Sequence, residues 1–328
     1  MKERGNRMLR RMDALGGVPL LLVLRLCKRR CPLPHPIRSV GILRTSCMGD
    51  TVLLSALVSD LRAAFPGAKL RFFAGDTNFD TARLFLREEE VRRIGVTSPL
   101  AAARVIQGEK LDLLLDCGPW PRVDALIAAL SGVPCTIGFQ TPRQFRHYCY
   151  DLAVKHSAEV HELVNYRQIA KALGVIATQE PHLVVDGGPV ITSARYVVFH
   201  LWPGGYLSHL REWPVASWHK LARQAADEGF SIVLTGLKTD QSCNQRIVEQ
   251  LAPAVQVRNV AGQFDLAETA RLLKHAAAVV SVNTGIMHLS AAIGTPTVGL
   301  SGPTSVTRWG AFDKAIADFG RVDEDAWK

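Results

Sequence analysis

The chain has 328 residues, 48% hydrophobic and 21% charged, with 39 Lys and Arg against 30 Asp and Glu for a formal charge of +9. That balance is too apolar for a disordered chain and too evenly spread for a coiled coil. At roughly 100–200 residues per domain, the length predicts two domains, each large enough to bury a core of its own.

The basic excess is local. Residues 1–38 hold ten basic residues and two acids, leaving 29 basic and 28 acidic residues in the other 290, a net charge of +1. An even basic coat for nucleic acid is thereby excluded, and no run in the body interleaves Lys or Arg with aromatic rings as a base-stacking platform does. Between the basic clusters of this leader lies the apolar run Ala14 to Leu26, interrupted by Pro19. Its apolar core of about a dozen residues is too short to span a bilayer, which needs about 20. It ends in Arg25 and Lys28-Arg29-Arg30 rather than in a small-residue cleavage site, which speaks against a signal peptide. One reading is a monotopic anchor on an anionic cytoplasmic leaflet. The other is an N-terminal helix buried on the body, or an extension of no consequence.

After the leader, short apolar β-branched runs alternate with stretches of helical period. Ser39–Arg44 reads as a strand, Leu53, Leu57, Leu61 and Ala64 recur at helical spacing, and Pro66-Gly67 stops the helix after Phe65. Strands follow at Lys69–Ala74, Leu111–Asp116 and Pro134–Gly138, with a helix between the last two. The pattern restarts after a turn-rich stretch at His182–Pro189. Tyr196–His200, a helix around Ala216–Glu228, Phe230–Thr235, a helix from about Asp240, a strand near Val255, a helix at Leu266–His275, the strand Ala278–Val282, a short helix at Ile286–Ile293 and Pro296–Leu300 complete it. Near-continuous apolar strands separated by helices are the signature of parallel sheets covered on both faces. The expectation is a leader at residues 1–38, an α/β domain at 39–188 and a second at 189–328, with ligands outside the carboxyl ends of the strands in an interdomain cleft.

The seven cysteines, Cys27, Cys31, Cys47, Cys117, Cys135, Cys149 and Cys243, form no CxxC pair and sit mostly in apolar runs. They read as small hydrophobes in a reducing compartment, not as a zinc site or a disulfide framework.

Four segments carry candidate chemistry. In Ile42–Leu54 a strand ends near Arg44, a loop holds Ser46, Met48 and Gly49, and Asp50 or Thr51 caps the next helix. Asp50 is either that cap or a carboxylate acting as general base on a hydroxyl. Neither the phosphate-loop pattern G-x-x-x-x-G-K-[ST] nor G-x-G-x-x-G is present. In Val282–Pro303 a strand runs into Thr284-Gly285 at a helix start, where free N–H groups and the helix dipole favour an anion such as a diphosphate. Thr284 can cap the helix or donate to phosphate, and Gly285 admits close approach. His288, on the first turn, faces phosphate or ribose, or else is hydrogen-bonded inside a wall. After Pro203-Gly204-Gly205, Arg211 beside Trp213-Pro214 offers a fixed positive fork suited to a phosphate, or is a solvated loop arginine. Gly236 and Asp240 hold a ribose, or are only turn and cap.

Taken in order, ILRTSCMGDTVLLSALVSDLRAAFPGAKL, P-G-G with REWPVASWHKLA, and NTGIMHLSAAIGTPTVGLSGPT with Arg308-Trp309-Gly310 resemble glycosyltransferase family 9, the ADP-heptose:lipopolysaccharide heptosyltransferases and their relatives, over about residues 39–312. The resemblance implies a GT-B fold of two Rossmann-like, doubly wound domains facing across a cleft, acceptor on the first and nucleotide sugar on the second. It implies a metal-independent, inverting transfer with no cofactor, from ADP-heptose or a related donor to a lipopolysaccharide or other lipid-linked acceptor. The protein would then be cytoplasmic and peripheral at the inner face of a bacterial membrane. The family's catalytic aspartate falls on Asp50, with Ser46, Met48 and Gly49 on the acceptor-side loop. Its diphosphate-binding motif falls on Thr284, Gly285, Met287 and His288, joined by Arg211 where heptosyltransferases usually carry lysine. Asn283, Gly236, Asp240 and Phe264 fall on the side of the donor sugar or nucleoside, Asn283 standing where the family commonly has an aspartate that contacts the heptose. That loss of a carboxylate motivates a second reading, a catalytically inactive nucleotide-sugar-binding or scaffolding protein of an envelope-polysaccharide assembly. A third, an epimerase on the same fold, expects further cleft carboxylates, which the sequence does not single out.

Overall fold

The computed structural model describes residues 7–27, 31–191, 195–205, 208–312 and 317–320. The basic residues Lys2, Arg4 and Lys28-Arg29-Arg30 lie outside this set. The chain divides into two compact units, the first running from Asn6 to Glu180 and the second from Pro181 onward.

The first unit opens with α1 (Arg7–Cys27) and carries strands β1 (Ser39–Arg44), β2 (Lys69–Ala74), β3 (Val91–Arg93), β4 (Leu113–Asp116), β5 (Cys135–Gln140) and β6 (Leu152–Lys155). Its other helices are α2 (Met48–Ala64), α3 (Phe79–Ala82), α4 (Pro99–Gly108), α5 (Arg122–Leu130) and α6 (Glu162–Ala172). The strand order is β3-β2-β1-β4-β5-β6, with the recorded pairings all parallel. β1 is buried at every position, as a central strand covered on both faces must be. Gly138 on β5 is needed for packing: a Cβ there would come 2.4 Å from the Tyr150 ring.

The second unit carries β7 (Tyr196–His200), β8 (Ser231–Thr235), β9 (Val257–Asn259), β10 (Ala278–Val282), β11 (Thr297–Gly302) and β12 (Ala317–Gly320), in the parallel order β12-β11-β10-β7-β8-β9. Its helices are α7 (Val215–Asp227), α8 (Gln241–Leu251), α9 (Leu266–Lys274), α10 (Gly285–Ile293) and α11 (Val306–Trp309). Phe199, Trp218, Leu234 and Val282 anchor its core, with Trp213 edge-on to Trp218 at 5.1 Å between ring centroids. Asp265 caps α9 and Glu268 returns the bond, a reciprocal pair that fixes the helix start. Each sheet has its first strand in the middle and reverses direction of growth there, between β1 and β4 and between β7 and β10. That reversal opens a crevice at the carboxyl ends of the strands.

The expected leader is not separate. Leu21 of α1 is fully buried in the core of the first unit with Leu43, Phe73 and Ile127, and Asp13 bonds the Val123 N–H at 2.9 Å and pairs with Arg122 at 3.3 Å. Hydrophobic burial on α5 therefore adds this helix to the domain that follows it. Element limits elsewhere shift by a few residues; the strand expected near Val255 is the three-residue β9, because Val255 still bonds back to Leu251 at the end of α8. Among the cysteines, Cys117, Cys135 and Cys149 are buried as expected, whereas Cys31 and Cys47 are exposed.

Candidate active site

In the first unit only Thr45, Ser46 and Cys47 separate β1 from α2. Cys47 adopts φ 70°, a conformation rare outside glycine, and its carbonyl accepts both the N–H and the hydroxyl of Thr51, at 3.1 and 2.9 Å. The buried Asn78 donates to Arg44 O at 2.9 Å and to Thr51 Oγ1 at 2.8 Å, fastening strand end to helix start. This corrects the expected loop. Cys47 completes the corner, so Met48 and Gly49 already belong to α2, and Asp50 is not the cap but the third helical residue. A carboxylate in a first turn is favoured by the helix dipole. Ser46, Met48 and Gly49 are half-buried beside it.

Asp50 is 8% exposed, and its Oδ2 is held by Nη2 of Arg44, itself 1% exposed, while Arg44 Nη1 donates to Cys117 O at 3.4 Å. Burial pushes the Asp50 carboxyl above its ordinary value; Arg44 opposes this most strongly and Glu162 adds to it. Arg44 thus spans the crevice between β1 and β4 and supplies the positive charge that favours an ionised Asp50.

Behind this pair lies a tier of buried charge that the sequence did not disclose. Asp116, at the end of β4, accepts Arg146 at 2.6 Å, Tyr150 OH at 2.6 Å and the Gly118 N–H at 2.9 Å. Glu162 bonds His156 Nε2 at 3.0 Å and Asn165 at 3.3 Å. Asp124 accepts Thr45 Oγ1 at 2.7 Å, and burial together with neighbouring Asp116 pushes it up to about 7. These are carboxylates of the kind the epimerase reading asks for, but Asp116 and Glu162 are spent on their own partners. The available signal was a charge ending a buried strand, at Arg44 and again at Asp116. The partners of Asp116, Arg146 and Tyr150, sit 30 and 34 residues beyond it in the chain, and no spacing links them.

In the second unit β10 ends at Val282 and α10 begins at Gly285, with Thr284 in the cap position in extended conformation. The Thr284 hydroxyl makes no cap bond and lies 3.3 Å from Ser281 Oγ. The N–H groups of the first turn lack partners within the helix and are available to an anion. Met287 is fully buried, so its side chain belongs to the core and only its backbone can serve a ligand; His288 is buried on the same turn.

Arg211 closes the turn Ser208–Arg211 after β7 and donates through Nη1 to Asn283 O at 3.0 Å and through Nη2 to Gly204 O. Among the described residues no carboxylate pairs with it, and burial lowers its pKa, the mark of a cation with incomplete solvation. It crosses the β7–β10 crevice as Arg44 crosses the β1–β4 crevice. Asn283 Nδ2 donates to Trp309 O at 3.3 Å, which leaves its Oδ1 as an uncharged acceptor.

Asp240 is buried and accepts the Leu237 N–H at 2.9 Å, a bond that caps its turn. Gly236 accepts the Gly262 N–H at 3.0 Å, and a Cβ on Gly262, whose φ is +69°, would come 2.6 Å from Lys238 Cα. The loops after β8 and β9 are therefore clasped together, and the half-buried Phe264 follows the second of them.

The profile of glycosyltransferase family 9 (heptosyltransferase) matches residues 189–326. The chain is 34% identical over 293 residues to lipopolysaccharide heptosyltransferase 2 of Escherichia coli, covering 80% of this chain and 82% of that one. It is 26% identical over 299 residues to lipopolysaccharide heptosyltransferase 1 of the same organism, covering 84% and 91%. In three dimensions it is similar to the solved structure of E. coli ADP-heptose lps heptosyltransferase II, with a TM-score of 0.74, 21% identity, and coverage of 86% of this chain and 90% of that one.

Proposed function

The chain belongs to glycosyltransferase family 9, has the GT-B type of fold and is a glycosyltransferase, and from that premise we propose that it moves a heptose or related sugar from a nucleotide diphosphate sugar to a lipopolysaccharide or other lipid-linked acceptor. The donor favoured is ADP-heptose. The observation that carries the reading is the Arg44–Asp50 pair at the start of α2.

In a single inverting displacement, Asp50 takes the proton of the acceptor hydroxyl as its oxygen bonds to the anomeric carbon. The bond from that carbon to the diphosphate breaks, and the diphosphate leaves with the electron pair. Arg211 and the N–H groups at the start of α10 receive the charge that develops on it. With a guanidinium and a helix terminus in that role, the reaction needs no metal ion. Asn283 offers the sugar an amide oxygen in place of a carboxylate, which weakens a hydrogen bond to a sugar hydroxyl without abolishing it. A lipid-linked acceptor places the enzyme at the inner face of the bacterial cytoplasmic membrane, bound to its surface; no described helix is long and apolar enough to cross one.

The test is Asp50→Ala. Loss of a positioned general base lowers turnover by about 10²- to 10⁴-fold, with nucleotide-sugar binding by calorimetry unchanged and wild-type turnover persisting in EDTA. Full activity of the variant would sink the assignment.

A further inference from the structure

α1 is apolar on two opposite faces. Its inner face carries Asp13, Gly17, Leu21 and Leu24 toward the first unit: Leu21 is fully buried, Leu24 packs against the same core, and a Cβ on Gly17 would come 2.8 Å from Arg122 Cδ. Its outer face carries Leu15, Pro19, Leu22 and Leu26, recurring at steps of four, three and four residues. At about 3.6 residues per turn this second stripe falls half a turn from the first. Leu15 is 79% exposed, Leu22 43%, Leu26 86% and neighbouring Val23 60%. A helix stapled to a domain needs one apolar face, so the second asks for a partner of its own.

The charge pattern identifies that partner. Arg7, Arg10 and Arg11 fall in the first turns of α1, Arg25 in its last, and Lys28-Arg29-Arg30 follow in the sequence, with Asp13 the one acid in the helix. Both ends are therefore cationic. A second copy of the helix, paired parallel or antiparallel, would bring cations against cations. An anionic bilayer satisfies both features at once, leucines entering the acyl boundary and Lys and Arg meeting headgroup phosphates.

We propose that α1 is a fixed membrane seat: its inner stripe is part of the core of the first unit, and its outer stripe, Leu15, Leu22 and Leu26, enters an anionic lipid surface. The inference rests on the surface-bound reading of the proposed function and names the element that makes the contact. It differs from a detachable leader, because removing residues 1–38 would also take Leu21 out of the core.

The experiment uses the full chain and the triple variant Leu15→Ser, Leu22→Ser, Leu26→Ser, whose substitutions are partly to largely solvent-exposed. Co-sedimentation is measured with vesicles of phosphatidylcholine alone and with phosphatidylglycerol added, at low and high salt. Light scattering gives the oligomeric state, and transfer to a deacylated, water-soluble acceptor reports the chemistry separately. The wild type is expected to sediment with phosphatidylglycerol vesicles and to be released by salt, and the variant to bind at least tenfold more weakly while keeping its melting temperature and soluble-acceptor activity. Equal binding by the variant, no binding by the wild type, or a wild-type dimer that the variant dissolves would overturn the proposal. Failure of both proteins to use any soluble acceptor would count against the proposed function and leave the vesicle result standing.

Discussion

Arg44 and Asp50, six residues apart across the corner from β1 to α2, form a buried ion pair in which the arginine also reaches the Cys117 carbonyl on the far side of the sheet's crevice. The arginine holds the Oδ2 oxygen of the carboxylate. It also offsets burial and the Glu162 charge, which both disfavour ionisation.

Removing that cation moves the acid limb of the activity profile. In Arg44→Gln, Asp50 loses the cation that most strongly opposes burial and the Glu162 charge, so its pKa rises further. The ratio of wild-type to variant kcat/KM is therefore larger at pH 6 than at pH 8, as a pH–rate series would record. Breaking a buried pair costs about 3–5 kcal/mol, so Arg44→Lys, which keeps the charge, is the companion variant and retains a profile near that of the wild type. A constant ratio across pH would contradict the role given to Arg44.

Asp124 gives a signature in stability. Its folded pKa of about 7 lies above the usual carboxylate value of about 4. Between these values the native state binds the extra proton, so this group lowers stability as pH rises through the window, and the loss is complete above it. Asp124→Asn keeps an oxygen for Thr45 and removes the titration. The variant should gain in melting temperature relative to wild type on going from pH 5 to pH 8; an offset independent of pH would refute the assignment.

At the donor side, Arg211→Ala should weaken donor binding by about ten- to a hundredfold, the range for lost hydrogen bonds to a charged group, measured as the donor Kd. Arg211→Lys should fall between, since an ammonium keeps the charge but cannot span Asn283 O and Gly204 O as the fork does. An unchanged Kd in Arg211→Ala would remove Arg211 from the diphosphate site.

Leu21 tests whether α1 belongs to the fold. A fully buried leucine replaced by alanine costs about 2–5 kcal/mol, so Leu21→Ala should lower the melting temperature clearly while Leu26→Ala, at an 86% exposed position, should not. Equal, small effects would mean that the helix contributes nothing to the core.

Much of this protein was readable along the chain because it rests on local periodicity. The alternation of apolar strands and helical stretches disclosed two parallel-sheet units, and the runs around Asp50 and Thr284 lie within a few residues of a strand end, where the chain itself delivers them to the carboxyl edge of a sheet. The leader's charge was equally plain. What sequence could not supply were relations between residues far apart in the chain. Whether α1 was free or buried depended on the surface α5 would offer to Leu21. The carboxylates behind Asp50 acquired Arg146, Tyr150 and His156 as partners only when β4, β5 and α6 came together, and the bond from Leu237 to Asp240 likewise appears only in the folded turn. Corner geometry was decided the same way. The positive φ at Cys47, pinned through Asn78 from the loop after β2, moved the helix start ahead of Gly49 and turned Asp50 from a cap into a paired, inward carboxylate. Sequence determined which segments carry charge and which bury it, since those follow from side-chain chemistry at fixed spacing. Tertiary structure decided which charges meet, because in a dry strand-end crevice that depends on distance in space and not along the chain.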